Sequence, residues 1–170
     1  IRMMTKQIVY FLVLPDTLLI DLAGPADAFL FANRHWGEIP FELRYISARS
    51  SIDTSIGLSL HHLSPLPTEI EEHALIVIPG VRGDSFDHRT PAALETINWL
   101  RQSVNSSHRI ACVCAGALIA AHAGLLKNRR ATTHHSHCAE LAEIDASIQV
   151  EDNRIFVEDG NILTSAGVTA

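Results

Sequence analysis

The chain has 170 residues, of which 47% are hydrophobic, so it can bury one core and form one domain of ordinary size. Its 13 Lys and Arg residues against 19 Asp and Glu residues give a net charge of −6, which argues against nucleic-acid binding through this surface by charge alone. It has no apolar run of about 18 residues and no signal-peptide pattern. The three cysteines are typical of a reducing compartment. We therefore predict a cytoplasmic protein without a membrane-spanning segment or structural disulfides.

Short apolar runs alternate with helical patterns in the first half of the chain. Residues 7–14 (QIVYFLVL) form a continuous apolar run, which is typical of a strand buried on both faces. The next helix has proline in its first turn. In order, the predicted elements are strand Gln7–Leu14, helix Pro25–Asn33, strand Glu42–Ser47, short edge strand Leu58–His61, helical turn Glu69–His73 and strand Ala74–Pro79.

The second half continues this alternation and ends in a hairpin. Its predicted elements are helix Pro91–Val104, strand Arg109–Val113, helix Ala115–Ala123 closed by Gly124, helix Ser136–Glu143, and strands Ile155–Glu158 and Ile162–Ser165. Alternating strands and helices favour an α/β fold. We predict a flavodoxin-like or Rossmann-like, mostly parallel sheet with helices on both faces.

The segment 111–116 (ACVCAG) is the most informative stretch, because a strand passes directly into a helix. Such a junction holds its corner residue, here Cys114, on a strained turn known as a nucleophile elbow. The crowded turn needs small residues two positions before and after the corner, and Cys112 and Gly116 meet that need. At a helix N-terminus the corner cysteine is expected to favour the thiolate, with its sulfur open to a cleft. Cys112, on the other side of the strand, is expected to be buried filler.

Four segments carry a family resemblance. They are 21–25 (DLAGP), the elbow followed by 123–126 (AGLL), 130–134 (RATTH) and 159–167 (DGNILTSAG). Together they resemble the ThiJ/PfpI superfamily, which is class I glutamine amidotransferase-like. The resemblance implies a single domain over residues 1–170. Residues 167–170 follow a strand and look like the start of a helix, so we expect a fragment that stops before the last helix of this domain.

Two subgroups of that superfamily compete for the function. The segments 27–34 (DAFLFANR), 134–141 (HHSHCAEL) and 150–160 (VEDNRIFVEDG) look more like the ligand-sensing domain of AraC-type transcriptional regulators. That resemblance implies a small-molecule effector, a homodimer, and a helix-turn-helix domain downstream that alone contacts DNA. The alternative is a cysteine enzyme, similar to isocyanide hydratases or glyoxalase-like proteins, that adds water to a small electrophile. A third hypothesis is a redox sensor in which Cys114 is oxidised to a sulfinate.

The candidate site lies at the carboxyl ends of the strands, where open α/β sheets bind ligands. The resemblance implies that Asp21, Gly80 and Cys114 converge there. Asp21 would then bond to the sulfur or donate a proton, although it could instead cap the helix that starts near Pro25. The backbone amides after Gly80 and Cys114 could receive an anion, but Val81 stands where the family usually has a second glycine and narrows that pocket.

Side chains that assist the cysteine in related enzymes have no counterpart in this sequence. Ala115 directly follows Cys114, where related hydrolases carry histidine and isocyanide hydratases carry threonine. Cys114 is therefore a catalytic nucleophile, a binding or redox-sensitive residue, or small filler, and Asp21 is catalytic only if the protein is an enzyme. Arg82 could reach an anionic ligand or lie on the surface, and His134 is expected to line the pocket floor. We predict no cofactor, and no metal site in the histidine-rich segment that begins at His134.

Overall fold

The computed structural model describes residues 6–36 and 41–167. Within them the chain forms eleven strands and four α-helices. The strands are β1 Gln7–Leu12, β2 Phe41–Ser47, β3 Ile52–Asp53, β4 Ser59–Leu60, β5 Ser64–Pro65, β6 Leu75–Ile78, β7 Arg109–Cys112, β8 Arg130–Ala131, β9 Gln149–Val150, β10 Phe156–Asp159 and β11 Ile162–Ser165. The helices are α1 Leu19–Trp36, α2 Pro91–Ser103, α3 Gly116–His122 and α4 Cys138–Ile144, with a 3₁₀ turn at His135–His137.

Seven strands form the central sheet in the order β10-β11-β7-β6-β1-β2-β5. All neighbouring pairs are parallel except β10 with β11, which form the predicted antiparallel hairpin. In register, Cys112 of β7 lies between Ile78 of β6 and Thr164 of β11. The carboxyl ends of these three strands are therefore level, and the loops that follow them meet at one edge.

The strands are covered on both faces, as expected for buried parallel strands. On one face, residues of β1, β6 and β7 pack against α2, α3 and α4. On the other face, alternate residues of β1 and β6 pack against α1. The α/β architecture with helices on both faces is thus confirmed. None of the helices within residues 6–36 and 41–167 is both long and apolar enough to cross a membrane.

The first helix differs from its prediction. It begins at Leu19 and runs through Pro25, instead of beginning at Pro25. Because proline has no N–H, the carbonyl of Asp21 receives no helical hydrogen bond from it. Proline is tolerated there because the rest of α1 packs on the sheet.

Other differences concern short elements. Residues 69–73 form no helix; the chain turns at residues 72–73, where the N–H of Ala74 donates to the carbonyl of Glu71 at 3.1 Å. β4 pairs with β3 in a separate two-stranded ribbon instead of at the edge of the central sheet. The predicted helix from Ser136 is a 3₁₀ turn followed by α4. The helix start expected at 167–170 falls mostly on residues 168–170, outside the described residues.

Candidate functional site

The elbow has the strained geometry that its sequence predicts. Cys114 has a φ of +54°, in the left-handed region that non-glycine residues rarely adopt. Its N–H donates to the carbonyl of Ser165 at 3.1 Å, so β11 fixes the turn from one side. Gly116 opens α3 so close to β6 that a Cβ there would lie 2.0 Å from the carbonyl oxygen of Ile78. The helix can start without a loop only because Gly116 has no side chain.

Four of the predicted site residues lie together. Asp21, in the first turn of α1, is 3% exposed, and its Oδ2 accepts a hydrogen bond from the N–H of Gly80 at 3.2 Å. A Cβ built on Gly80 would lie 2.9 Å from that Oδ2, 3.2 Å from Cβ of Cys114 and 3.1 Å from the N of Ala115. The alternative of Asp21 as a helix cap is wrong, because α1 starts before it and its carboxyl group bonds to another loop.

The electrostatics differ from the sequence expectation. Burial raises the pKa of the Cys114 thiol, the Asp21 carboxylate raises it further, and the hydrogen bond with the backbone of Ala115 lowers it. The thiolate expectation is therefore wrong in direction. The helix that should stabilise an anion, α3, has only seven residues. Burial also raises the pKa of Asp21, against the lowering effect of the Gly80 N–H. Both acids are thus shifted toward their protonated forms.

The sulfur is more enclosed than predicted. Cys114 is only 5% exposed and belongs to the core that α3 completes. Gly167 lies directly over it, since a Cβ on Gly167 would lie 2.9 Å from Sγ of Cys114. The expected open cleft at the sulfur is therefore wrong. The backbone at Gly167 therefore blocks the approach to the sulfur from that side.

Thr133 is a site residue that the sequence analysis missed. Its buried hydroxyl donates to the carbonyl oxygen of Cys114 at 2.8 Å, which ties the segment after β8 to the elbow. The neighbouring residue His134, which was expected on the pocket floor, is half-buried. Its Nδ1 lies 2.7 Å from Oγ of Ser136 and its ring lies 4.2 Å from the ring of His135. A signal for Thr133 was present in the threonine pair before His134.

Val81 and Arg82 lie beside the site. Val81 is buried and forms an isolated antiparallel bridge with Thr17. The N–H of Arg82 donates to the carbonyl of Asp16 at 2.9 Å, and its exposed guanidinium lies 3.3 Å from the carboxylate of Asp16. Both residues line a cavity of about 180 Å³ between the end of β1, the loop after Gly80 and α2. A separate apolar cavity of about 470 Å³ lies on the α1 face of the sheet, and Ala111 and Val113 of the elbow segment are among its lining residues.

The other cysteine at the elbow, Cys112, lies in the core. Cys112 is fully buried, and burial raises its pKa to about 12, as fits buried filler. In the part of the chain that the structure describes, no group of three His, Cys, Asp or Glu side chains could hold a metal ion.

The chain is an α/β protein whose mostly parallel sheet holds a strained cysteine after a central strand. The chain belongs to the DJ-1/PfpI family, whose sequence pattern matches residues 7–170.

Relatives within this class differ in function. The chain is 28% identical to the isonitrile hydratase of Pseudomonas putida, over 94% of this chain and 65% of that protein. It is 30% identical to the HTH-type transcriptional regulator GlxA of Rhizobium meliloti, over 96% of this chain and 49% of that protein. The chain therefore spans between half and two thirds of these relatives. The crystal structure of an AraC family transcriptional regulator from Pseudomonas putida superposes with a TM-score of 0.76, at 19% identity, over 95% of this chain and 84% of that one. At that identity the likeness shows the fold.

Proposed function

We propose that this chain is the ligand-sensing domain of an AraC-type transcriptional regulator and that it binds a small, polar effector beside Cys114. The observation that carries this proposal is the buried pair of Cys114 and Asp21, in which the pKa of both groups is raised. A catalytic cysteine needs its thiolate and a base that activates it. A raised pKa means that each group holds its proton to a higher pH, and a thiol or carboxyl that holds its proton can donate a hydrogen bond to a ligand.

Two other residues of the predicted site also favour binding over turnover. Ala115 supplies no side-chain base, and the Nδ1 of His134 is engaged by Ser136. The GlxA-type relative supports a regulatory role for a chain of this kind. On this proposal a helix-turn-helix domain that follows residue 170 contacts DNA, and the sensing domain pairs with a second copy.

The coding sequence downstream of residue 170 tests the regulatory assignment. We expect roughly 100 further residues with net positive charge and two helix-turn-helix patterns. A stop codon within about 40 residues would contradict the proposal, because a helix-turn-helix domain needs more chain than that.

A thermal-shift screen of amino acids, amines and related metabolites tests the effector site. A ligand of the native state raises the melting temperature in proportion to its affinity and concentration. The stabilising compound should lose its effect on Cys114→Ala and keep it on Cys138→Ala, a half-buried cysteine in α4. Equal stabilisation of both variants would place the ligand away from Cys114 and refute this site.

A hydrating enzyme is the second candidate, because Asp21 could supply a proton directly beside the cysteine. In that reaction the S–H of Cys114 would add to the carbon of an isocyanide. Water would then displace the thiol, and a formamide would leave. The isonitrile hydratase relative favours this chemistry. Formamide production that disappears in Cys114→Ala would support the enzyme, whereas unchanged turnover in that variant would exclude it.

A further inference from the structure

The loop between the site and α2 is a surface segment with one buried anchor. Residues 82–90 follow Val81 directly, and within them only Phe86 is buried. The loop covers the cavity of about 180 Å³ beside Gly80, to which it contributes Arg82, Ser85, Phe86, Asp87 and Thr90. A displacement of this loop would therefore change the shape of that cavity.

A single carboxylate of α4 holds the anchor. Oε1 of Glu140 accepts a hydrogen bond from the N–H of Phe86 at 2.9 Å. Oε2 of the same carboxylate lies 3.1 Å from Nδ1 of His137, a buried histidine of the 3₁₀ turn. One oxygen of Glu140 thus contacts the loop and the other contacts the histidine.

A pair of stacked imidazoles forms the second contact of the loop. The ring of His88 lies 4.2 Å from the ring of His122 at the end of α3, with 18° between their planes. The ring of Phe86 lies 5.7 Å from that of His122. Neutral imidazoles stack favourably, whereas two imidazolium rings at this separation repel each other.

The other charged groups around this stack come from every element that packs on it. Asp87 and Arg89 lie on the loop and pair with each other at 3.4 Å, and Arg101 of α2 donates to the carbonyl of His122 at 3.0 Å. Glu140 is the carboxylate on the α4 side. Burial and the proximity of His88 lower the pKa of His122, and Glu140 opposes that shift.

The repulsion between His88 and His122 acts on the loop directly, since His88 belongs to it, whereas His137 contacts the loop only through Glu140.

We propose that residues 82–90 form a lid over the cavity beside Gly80, held by Glu140 and the His88–His122 stack and released when both imidazoles are protonated. Only the further step, that the lid controls entry of the effector, rests on the proposed function.

Amide hydrogen exchange read by mass spectrometry tests the lid. After correction for intrinsic exchange rates, the peptide that contains Phe86 should lose protection at least about tenfold between about pH 7.5 and pH 5.5. Peptides from β1 and β6 should stay protected, which separates lid opening from acid unfolding. In Glu140→Ala the Phe86 peptide should already exchange faster at the higher pH.

Two histidine variants decide the origin of the response. In His88→Asn, the protection of the Phe86 peptide should change by no more than about twofold across this pH range. The control is His61→Asn, at an exposed histidine near β4, which should respond to pH like the parent. The proposal would be overturned if the protection of the Phe86 peptide in the parent did not change with pH, or if it still fell in His88→Asn. It would also be overturned if the peptides from β1 and β6 lost protection in parallel. The exchange readout needs no ligand, so a failed effector screen would leave it unaffected.

Discussion

Gly116 lies in contact with Ile78, because a Cβ on Gly116 would stand 2.0 Å from the carbonyl oxygen of that residue. Both partners are backbone groups of packed elements, so neither can move aside. We expect Gly116→Ala to lower the free energy of unfolding by more than about 3 kcal/mol. Gly24→Ala is the matched control, because Gly24 is exposed in α1 with nothing within 4 Å. Urea denaturation should show that control to be more stable than the parent by about 0.5–1 kcal/mol.

Thr133 stabilises the elbow by a different route, through its hydroxyl bond to the carbonyl of Cys114. Thr133→Val keeps the shape of the side chain and leaves that buried carbonyl without its donor, at a cost of about 1–3 kcal/mol. Thr96→Val is the comparison, because the buried hydroxyl of Thr96 donates to the carbonyl of Ala92 within its own helix. That carbonyl lies in a regular helix and has a backbone donor, so the loss should be smaller. Equal losses in the two variants would show that the elbow gains nothing special from Thr133.

The sequence predicted those parts of the fold whose signal is local. Continuous apolar runs indicated β1 and β6, and the small residues at 112 and 116 indicated the elbow. Two-residue strands such as β5 leave no pattern, and the start of α1 was hidden by Pro25, whose position inside a helix depends on tertiary packing. The properties of Cys114 were the hardest to predict. They depend on burial by Gly167 and on the carboxyl group of Asp21, which come from distant parts of the chain.

The raised pKa of Asp21 predicts how stability changes in acid. Between the ordinary value of 3.8 and its raised folded value, the folded protein binds more protons at this carboxyl than the unfolded chain does. The contribution of Asp21 to the free energy of unfolding is therefore fully present below that window and lost as the pH rises through it. Asp21→Asn removes this dependence. Relative to the parent, the variant should gain stability in urea titrations as the pH rises above about 3.8, until Asp21 is also ionised in the folded protein. The control is Asp27→Asn, an exposed position of the same helix. If the difference between Asp21→Asn and the parent stays constant with pH, the carboxyl is not shifted.

Cys112 predicts the behaviour in alkali, because burial raises its pKa from 9.0 to about 12. Above pH 9 the unfolded chain releases the proton of this thiol while the folded protein retains it. The free energy of unfolding should therefore fall as the pH rises toward 12, by about 1.4 kcal/mol per pH unit from this group alone. In Cys112→Ala the free energy of unfolding should fall less steeply with pH, by that amount per pH unit. The cost of its small cavity is measured at neutral pH and subtracted. Identical slopes for the parent and Cys112→Ala between about pH 9 and pH 11 would mean that the thiol reaches solvent and ionises in the folded protein.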